Sequence, residues 1–203
     1  EAAADQALAL APDDVAALIQ KADIQRARGD TPGAFAHFDR AATADPANVS
    51  ARLGRAVTLL ADNEDARAAG DVDWVLGLFP GHPTATYMHA LIMARAGQTK
   101  AAIDALRPAM TSLDGFPQAH FLMATLALQT GQVAQAESFA DHYRNRRPED
   151  AAGRRLAAAI HLRNKAPEKA VAVLRPLVDK DHDDLQAIEL MANAYMMARD
   201  FRR

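Results

Sequence analysis

The chain has 203 residues with 26 acidic and 23 basic side chains, a formal net charge of −3, so it lacks the basic field that general nucleic-acid binding needs. It contains no cysteine, which excludes disulfides, thiolate metal sites and cysteine nucleophiles, and no apolar run nears the roughly 20 residues that span a bilayer. The near balance of charge hides a gradient: residues 1–50 carry eight acids and four bases, residues 141–175 nine bases and four acids.

Alanine recurs at two phases of a 34-residue period. Ala22, Ala56, Ala90, Ala124, Ala158 and Ala192 make one ladder, and Ala34, Ala68, Ala102, Ala136 and Ala170 the other. Alanine occupies 48 of 203 positions, under a quarter, so eleven alanines in eleven slots reflect a repeated unit and not composition. Between the ladders lies a breaker, Gly29, Gly97 and Gly131, with Asn63, Lys165 and Arg199 in the other copies. Apolar residues recur three and four apart on both sides of it, so each copy reads as two amphipathic helices.

In chain order, the segment Asp5 to Ala11 reads as the end of a second helix. First helices are expected near Asp14–Arg28, Asn48–Asp62, Pro83–Ala96, Phe116–Thr130, Asp150–Arg163 and Asp184–Ala198. Second helices are expected near Thr31–Ala44, Glu64–Leu78, Thr99–Thr111, Val133–Arg146 and Pro167–Val178. Pro12, Pro46, Pro80 and Pro148 close their repeats, with Asp114 and His182 at the phases that lack proline. Pro32, Pro83, Pro117 and Pro167 suit first-turn positions, where no backbone donor is lost. Pro108 and Pro176 fall inside second helices, in the triplet Leu-Arg-Pro, and predict kinks or early breaks.

Small residue, turn glycine, small residue and terminal proline at this spacing resemble the tetratricopeptide repeat over the whole chain. The resemblance implies an all-α fold, a right-handed superhelical solenoid of antiparallel helix hairpins. Residues 1–203 then form one solenoid: full repeats at about 15–48, 49–82, 83–116, 117–150 and 151–184, with partial repeats at 1–14 and 185–203. The family's early aromatic is replaced by Leu18, Arg52, Thr86, His120, Arg154 and Ile188. The chain stops at Arg203, one residue short of the next rung, and reads as a stretch of a longer array without polar caps, whose exposed ends offer a route to dimerisation.

The resemblance also implies that first helices line a concave face. The ladder phase places Ile19, Leu53, Tyr87, Phe121, Arg155 and Glu189 one turn before the alanine, and Asp23, Val57, Leu91, Thr125, Ala159 and Asn193 just after it. Arg26, Leu60, Ala94, Leu128, Leu162 and Met196 follow a turn later. The central positions are apolar and the ends charged, through Asp23 and Arg26 on one side and Arg155, Arg163 and Glu189 on the other. Inter-repeat packing accounts for any one of these residues, whereas the stripe as a whole suits a bound helix or extended peptide, with Tyr87 and Phe121 as anchors. Residues 144–175, from Arg144 to Arg175, read as a solvated face or as a docking patch for an anionic partner, Arg155 and Arg163 pointing into the groove.

Catalytic chemistry finds no support. The seven histidines form no HExxH pair; His89 and His120, on neighbouring first helices, read as satisfied or exposed residues. The Asp179 to Asp184 cluster lacks the glycine and final glutamate of a calcium loop. No phosphate-cradling loop or GxSxG elbow occurs. No catalytic residue, metal or cofactor is therefore expected.

The lysine and asparagine pairs of tetratricopeptide co-chaperones that grip heat-shock protein tails are missing, since those columns read Ile19 with Asp23 and Leu53 with Val57. The asparagine ladder of O-linked N-acetylglucosamine transferase arms is reduced to Asn193. From Ala151 to Phe201 the repeat wording is similar to long tetratricopeptide proteins of bacterial exosortase and exopolysaccharide systems. That resemblance implies a non-enzymatic, periplasmic or envelope-associated scaffold for polysaccharide secretion or surface-protein sorting. A cytoplasmic adaptor, or the substrate-recruiting arm of a larger enzyme, is the alternative.

Overall fold

A computed structural model describes residues 2–198. Those residues form twelve α-helices and no strand: α1 (Ala2–Leu10), α2 (Val15–Ala27), α3 (Thr31–Ala44), α4 (Val49–Ala61), α5 (Asp65–Leu78), α6 (Pro83–Arg95), α7 (Thr99–Leu106), α8 (Pro117–Gln129), α9 (Val133–Arg146), α10 (Ala151–Arg163), α11 (Pro167–Lys180) and α12 (Leu185–Met197). The chain divides into two compact units, residues 1–96 with α1 to α6 and residues 97–203 with α7 to α12. Within each, helices adjacent in sequence pack together, as α2 on α3 and α4 on α5, or α8 on α9 and α10 on α11. The expected positions Arg199, Phe201 and Arg203 lie outside the described residues.

Helix starts repeat with the period. Asp14, Asn48, Asp150 and Asp184 accept from the backbone N–H three residues on, at 2.7, 3.0, 2.7 and 3.0 Å, and His82 does so through Nδ1 at 3.3 Å. Only Phe116 interrupts this column, and α8 starts without a side-chain cap. Each cap satisfies a donor that the first turn leaves orphaned.

Helix ends repeat as well. Residues 29, 63, 97, 131 and 165 all adopt positive φ, between 56° and 81°. After α2, α4, α8 and α10 the chain closes with paired backbone bonds, for example Glu64 N–H to Leu59 O at 2.9 Å and Asn63 N–H to Leu60 O at 3.3 Å. This C-terminal motif needs one left-handed residue. Glycine adopts it freely at three of the positions, whereas Asn63 and Lys165 carry a Cβ into it.

The alanine ladders mark the helix crossings. Ten of the eleven alanines are fully buried, which lets facing helices approach closely. Ala192 is exposed, because no second helix covers α12 among the described residues. At one crossing even alanine is too large: a Cβ on Gly54 of α4 would collide with the ring of Phe38 on α3, itself buried.

The two inner prolines behave differently. Pro108 ends α7 at Leu106, and the chain continues as a 3₁₀ turn over Arg107–Ala109, as a residue without an N–H demands. Pro176 does not break α11, which continues to Lys180. It stands near the last turn, and Leu174 and Leu177 on either side are buried, so core packing holds the helix through the missing bond. Pro32, Pro83, Pro117 and Pro167 all occupy first turns.

Candidate functional site

In the second unit an open cleft of about 740 Å³ is lined, among the described residues, by first helices alone. Leu128 and Gln129 come from α8, Ala159, Leu162 and Arg163 from α10, and Leu190, Asn193, Met196 and Met197 from α12. The helical period delivers them to one face: Leu128, Leu162 and Met196 hold the same repeat position, 34 residues apart. Its floor is apolar, and Met196 is 54% exposed. Arg163 is exposed and, among the described residues, makes no ion pair and is the one charged side chain lining the cleft.

The first unit has a corresponding cleft of about 730 Å³ along α2, lined by Ile19, Asp23 and neighbouring residues and bounded by Asn48 and Ser50. Asp23 pairs with Arg26 at 3.1 Å, both exposed, so their charges offset each other. Farther along this unit the expected stripe sinks into the core. Leu60 is only 6% exposed, within a cluster of α4, α5 and α6 that includes Val72, Val75 and Met88, and Leu53, Val57, Tyr87 and Leu91 pack against it half-buried. Burial pushes the Tyr87 phenol above its ordinary pKa.

Phe121 and Thr125 belong to the second unit. Phe121 is half-buried against Tyr143 of α9, the ring centroids 5.0 Å apart. Tyr143 in turn lies over Gly153, where a Cβ would come within 2.7 Å of the ring. The Thr125 hydroxyl donates to the Phe121 carbonyl oxygen at 2.9 Å. These contacts give Phe121 a packing role inside its hairpin.

The basic segment is not one uniform surface. Arg155 donates to Asp184 at 2.5 Å, tying α10 to the residue that caps α12. The Ala187 N–H, followed by Arg155, holds the Asp184 carboxyl below its ordinary pKa. Arg146 pairs with Asp114 at 3.0 Å and Arg154 with Glu149 at 3.1 Å. Arg147, Arg163, Lys165, Lys169 and Arg175 are exposed and make no ion pair among the described residues.

Two histidines, His120 and His161, are packed into the interior. His120 is 4% exposed, its Nε2 lies 3.1 Å from the Asp114 carbonyl oxygen, and its ring stacks on His142 at 5.2 Å. A carbonyl only accepts, so Nε2 carries the proton and the buried Nδ1 has no partner. His161 is also largely buried, with Nδ1 3.8 Å from Glu137. Desolvation lowers the pKa of both. His89 instead faces Asp73 at 3.2 Å. Among the described residues no group of three or more histidine or acidic side chains is arranged to hold a metal, and Asp181 and Asp184 accept backbone bonds from Asp183 and Ala187.

One polar cluster escaped the sequence reading. Asp71 of α5 is 4% exposed and accepts from Arg52 at 2.9 Å and from Arg55 Nε and Nη2 at 2.7 Å each. Arg55 also reaches Asp39 of α3 at 2.7 Å, and Arg52 lies over the Trp74 ring at 4.1 Å. The available signal was arginine at the aromatic position of a first helix, opposite an aspartate on an otherwise apolar helix face. The partners lie 16 and 19 residues apart, and periodicity does not pair them.

Two family models described as tetratricopeptide repeat match the chain, over residues 1–49 and 93–160. The tetratricopeptide repeat and J domain-containing co-chaperone DNJ1 of Fusarium oxysporum f. sp. lycopersici is 34% identical over 102 residues, covering 47% of this chain and 20% of that protein. The chain thus spans about a fifth of that relative's length. The crystal structure of PilW, a widely conserved type IV pilus biogenesis factor, matches with a TM-score of 0.76 at 19% identity, over 94% of this chain and 88% of that one. YrrB, a tetratricopeptide protein with an unusual peptide-binding site, matches at 0.62 and 19% identity, over 92% and 96%. At these identities the structures establish the fold.

Proposed function

We propose a function for this chain from the premise that it belongs to the tetratricopeptide repeat family: it is a non-catalytic scaffold that holds a peptide or helix of a partner protein on the shared face of its first helices. One observation carries this reading. The cleft in residues 97–198 is walled by α8, α10 and α12 only, has a floor of leucine and methionine, and is open to solvent. Exposed apolar surface of this kind costs free energy until a partner covers it. The peptide-binding site named for YrrB supports the same use of the fold.

Within that reading we place the scaffold in a bacterial envelope system for polysaccharide secretion or surface-protein sorting, supported by the repeat wording that begins at Ala151. A second reading, a cytoplasmic adaptor, is favoured by the likeness to the fungal co-chaperone. The test is affinity capture from fractionated cells, comparing the native sequence with Met196→Glu, Met197→Glu and with Arg175→Glu as a surface control. Loss of one specific protein in the cleft variant alone supports the groove, and the compartment of that protein separates the two readings. Capture that all three chains share equally removes the groove from consideration.

A further inference from the structure

Building on the reading of the α8, α10 and α12 face as a partner groove, we propose that its occupant is an acidic amphipathic segment of another protein, apolar side chains on Leu128, Leu162 and Leu190 and a carboxylate on Arg163. The charge inventory of the cleft leads there. Among the described residues its lining includes Arg163 and no acidic residue, and two side-chain amides, Gln129 and Asn193, supply further polar partners.

Arg163 is also the exception on its own helix. Arg154 and Arg155 of α10 each hold a carboxylate, Glu149 and Asp184, while Arg163 holds none among the described residues. Covering the cleft with a purely apolar segment would strip water from this guanidinium without replacing it. A basic segment would add like-charge repulsion, whereas a carboxylate completes a two-pronged, charge-assisted bond that fixes register. The methionines supply adaptable contact surface for the apolar side, so the charge, more than the shape, selects the partner. The cleft of the first unit differs: its acid, Asp23, is already offset by Arg26.

The probes are two labelled synthetic peptides with leucines at helical spacing, one flanked by glutamates and the other by lysines, titrated into the 203-residue chain and read by fluorescence anisotropy. The glutamate peptide is expected to bind roughly tenfold more tightly than the lysine peptide, and Arg163→Glu to reverse that order. Arg163→Gln should bring the two affinities together; because Arg163 is exposed, neither change disturbs the core. Equal binding of both peptides to the native chain, lost in Met196→Glu, overturns the acidic occupant and leaves the groove in place. Binding of neither peptide removes both.

Discussion

Arg55 grips Asp71 through two nitrogens, Nε and Nη2, each 2.7 Å from a different carboxylate oxygen. The pair joins α4 to α5, and the third guanidinium nitrogen continues to Asp39 on α3. Its partners raise the pKa of Arg55, the bond to Asp71 contributing most. The carboxylate sits at 4% exposure beneath two arginines, so its charge is compensated and water is excluded.

Asp71→Asn should therefore destabilise the first unit by about 3 kcal/mol, since removing one partner leaves buried charge uncompensated. Urea unfolding read from Trp74 fluorescence measures it. A change below about 0.5 kcal/mol, the usual range for surface substitutions, would show the network to be ornamental.

Lys165→Gly should stabilise the second unit by about 0.5 to 1 kcal/mol. Lys165 holds φ at 56°, a conformation that costs a side-chain-bearing residue of the order of 1 kcal/mol and glycine almost nothing, offset in part by glycine's greater unfolded-state entropy. Its side chain is exposed and makes no ion pair among the described residues, so no such contact is forfeited. Thermal melts of the two chains test this, and a lower melting temperature in the glycine variant contradicts it.

The same substitution should act with opposite sign at two glycines. Gly54→Ala drives a Cβ into the Phe38 ring and should cost about 1 to 3 kcal/mol of overpacking. Gly70→Ala, inside α5 with open space around its Cβ position, should gain up to about 1 kcal/mol of helix propensity. Parallel denaturation curves compare them, and matching shifts would refute the crossing geometry.

Acidification should loosen the second unit. His120 and His161 have folded pKa values lowered chiefly by desolvation, while the unfolded chain titrates near about 6.5. Above that value both states are neutral and the full stability is present. As pH falls through about 6.5 the unfolded chain takes up protons first, and stability declines until the folded pKa values are passed. Around His120 stand His142, Asp114 and Arg146; around His161 stand Glu137, Lys169, Arg144 and Asp141. Urea midpoints at about pH 7.5 and 5.5 should differ less in a His120→Gln, His161→Gln chain than in the native one; an equal difference assigns the effect elsewhere.

Much of the fold was legible because its demands are local and repeat. Thr31, Val133 and Pro167 start their helices where the pattern placed them, and Pro108 stops one by removing a donor. Pro176 does not break its helix, which Leu174 and Leu177 hold through contacts that a single triplet does not announce. The candidate face was legible only in outline. Leu60 and Leu128 hold the same repeat position, yet the first is buried in a core and the second lines a cleft.

By itself the sequence determined the register: where each helix begins, which residue takes the left-handed turn, and which alanines sit at the crossings. Those choices follow from backbone sterics, capping and small-residue packing, all of which act within one 34-residue unit. Tertiary structure decided which members of each column stay open, that Arg155 is captured by Asp184, and that Arg52 and Arg55 converge on Asp71. Those outcomes depend on side chains 16 to 29 residues apart meeting across helices, where burial and charge compensation, not periodicity, select the partner.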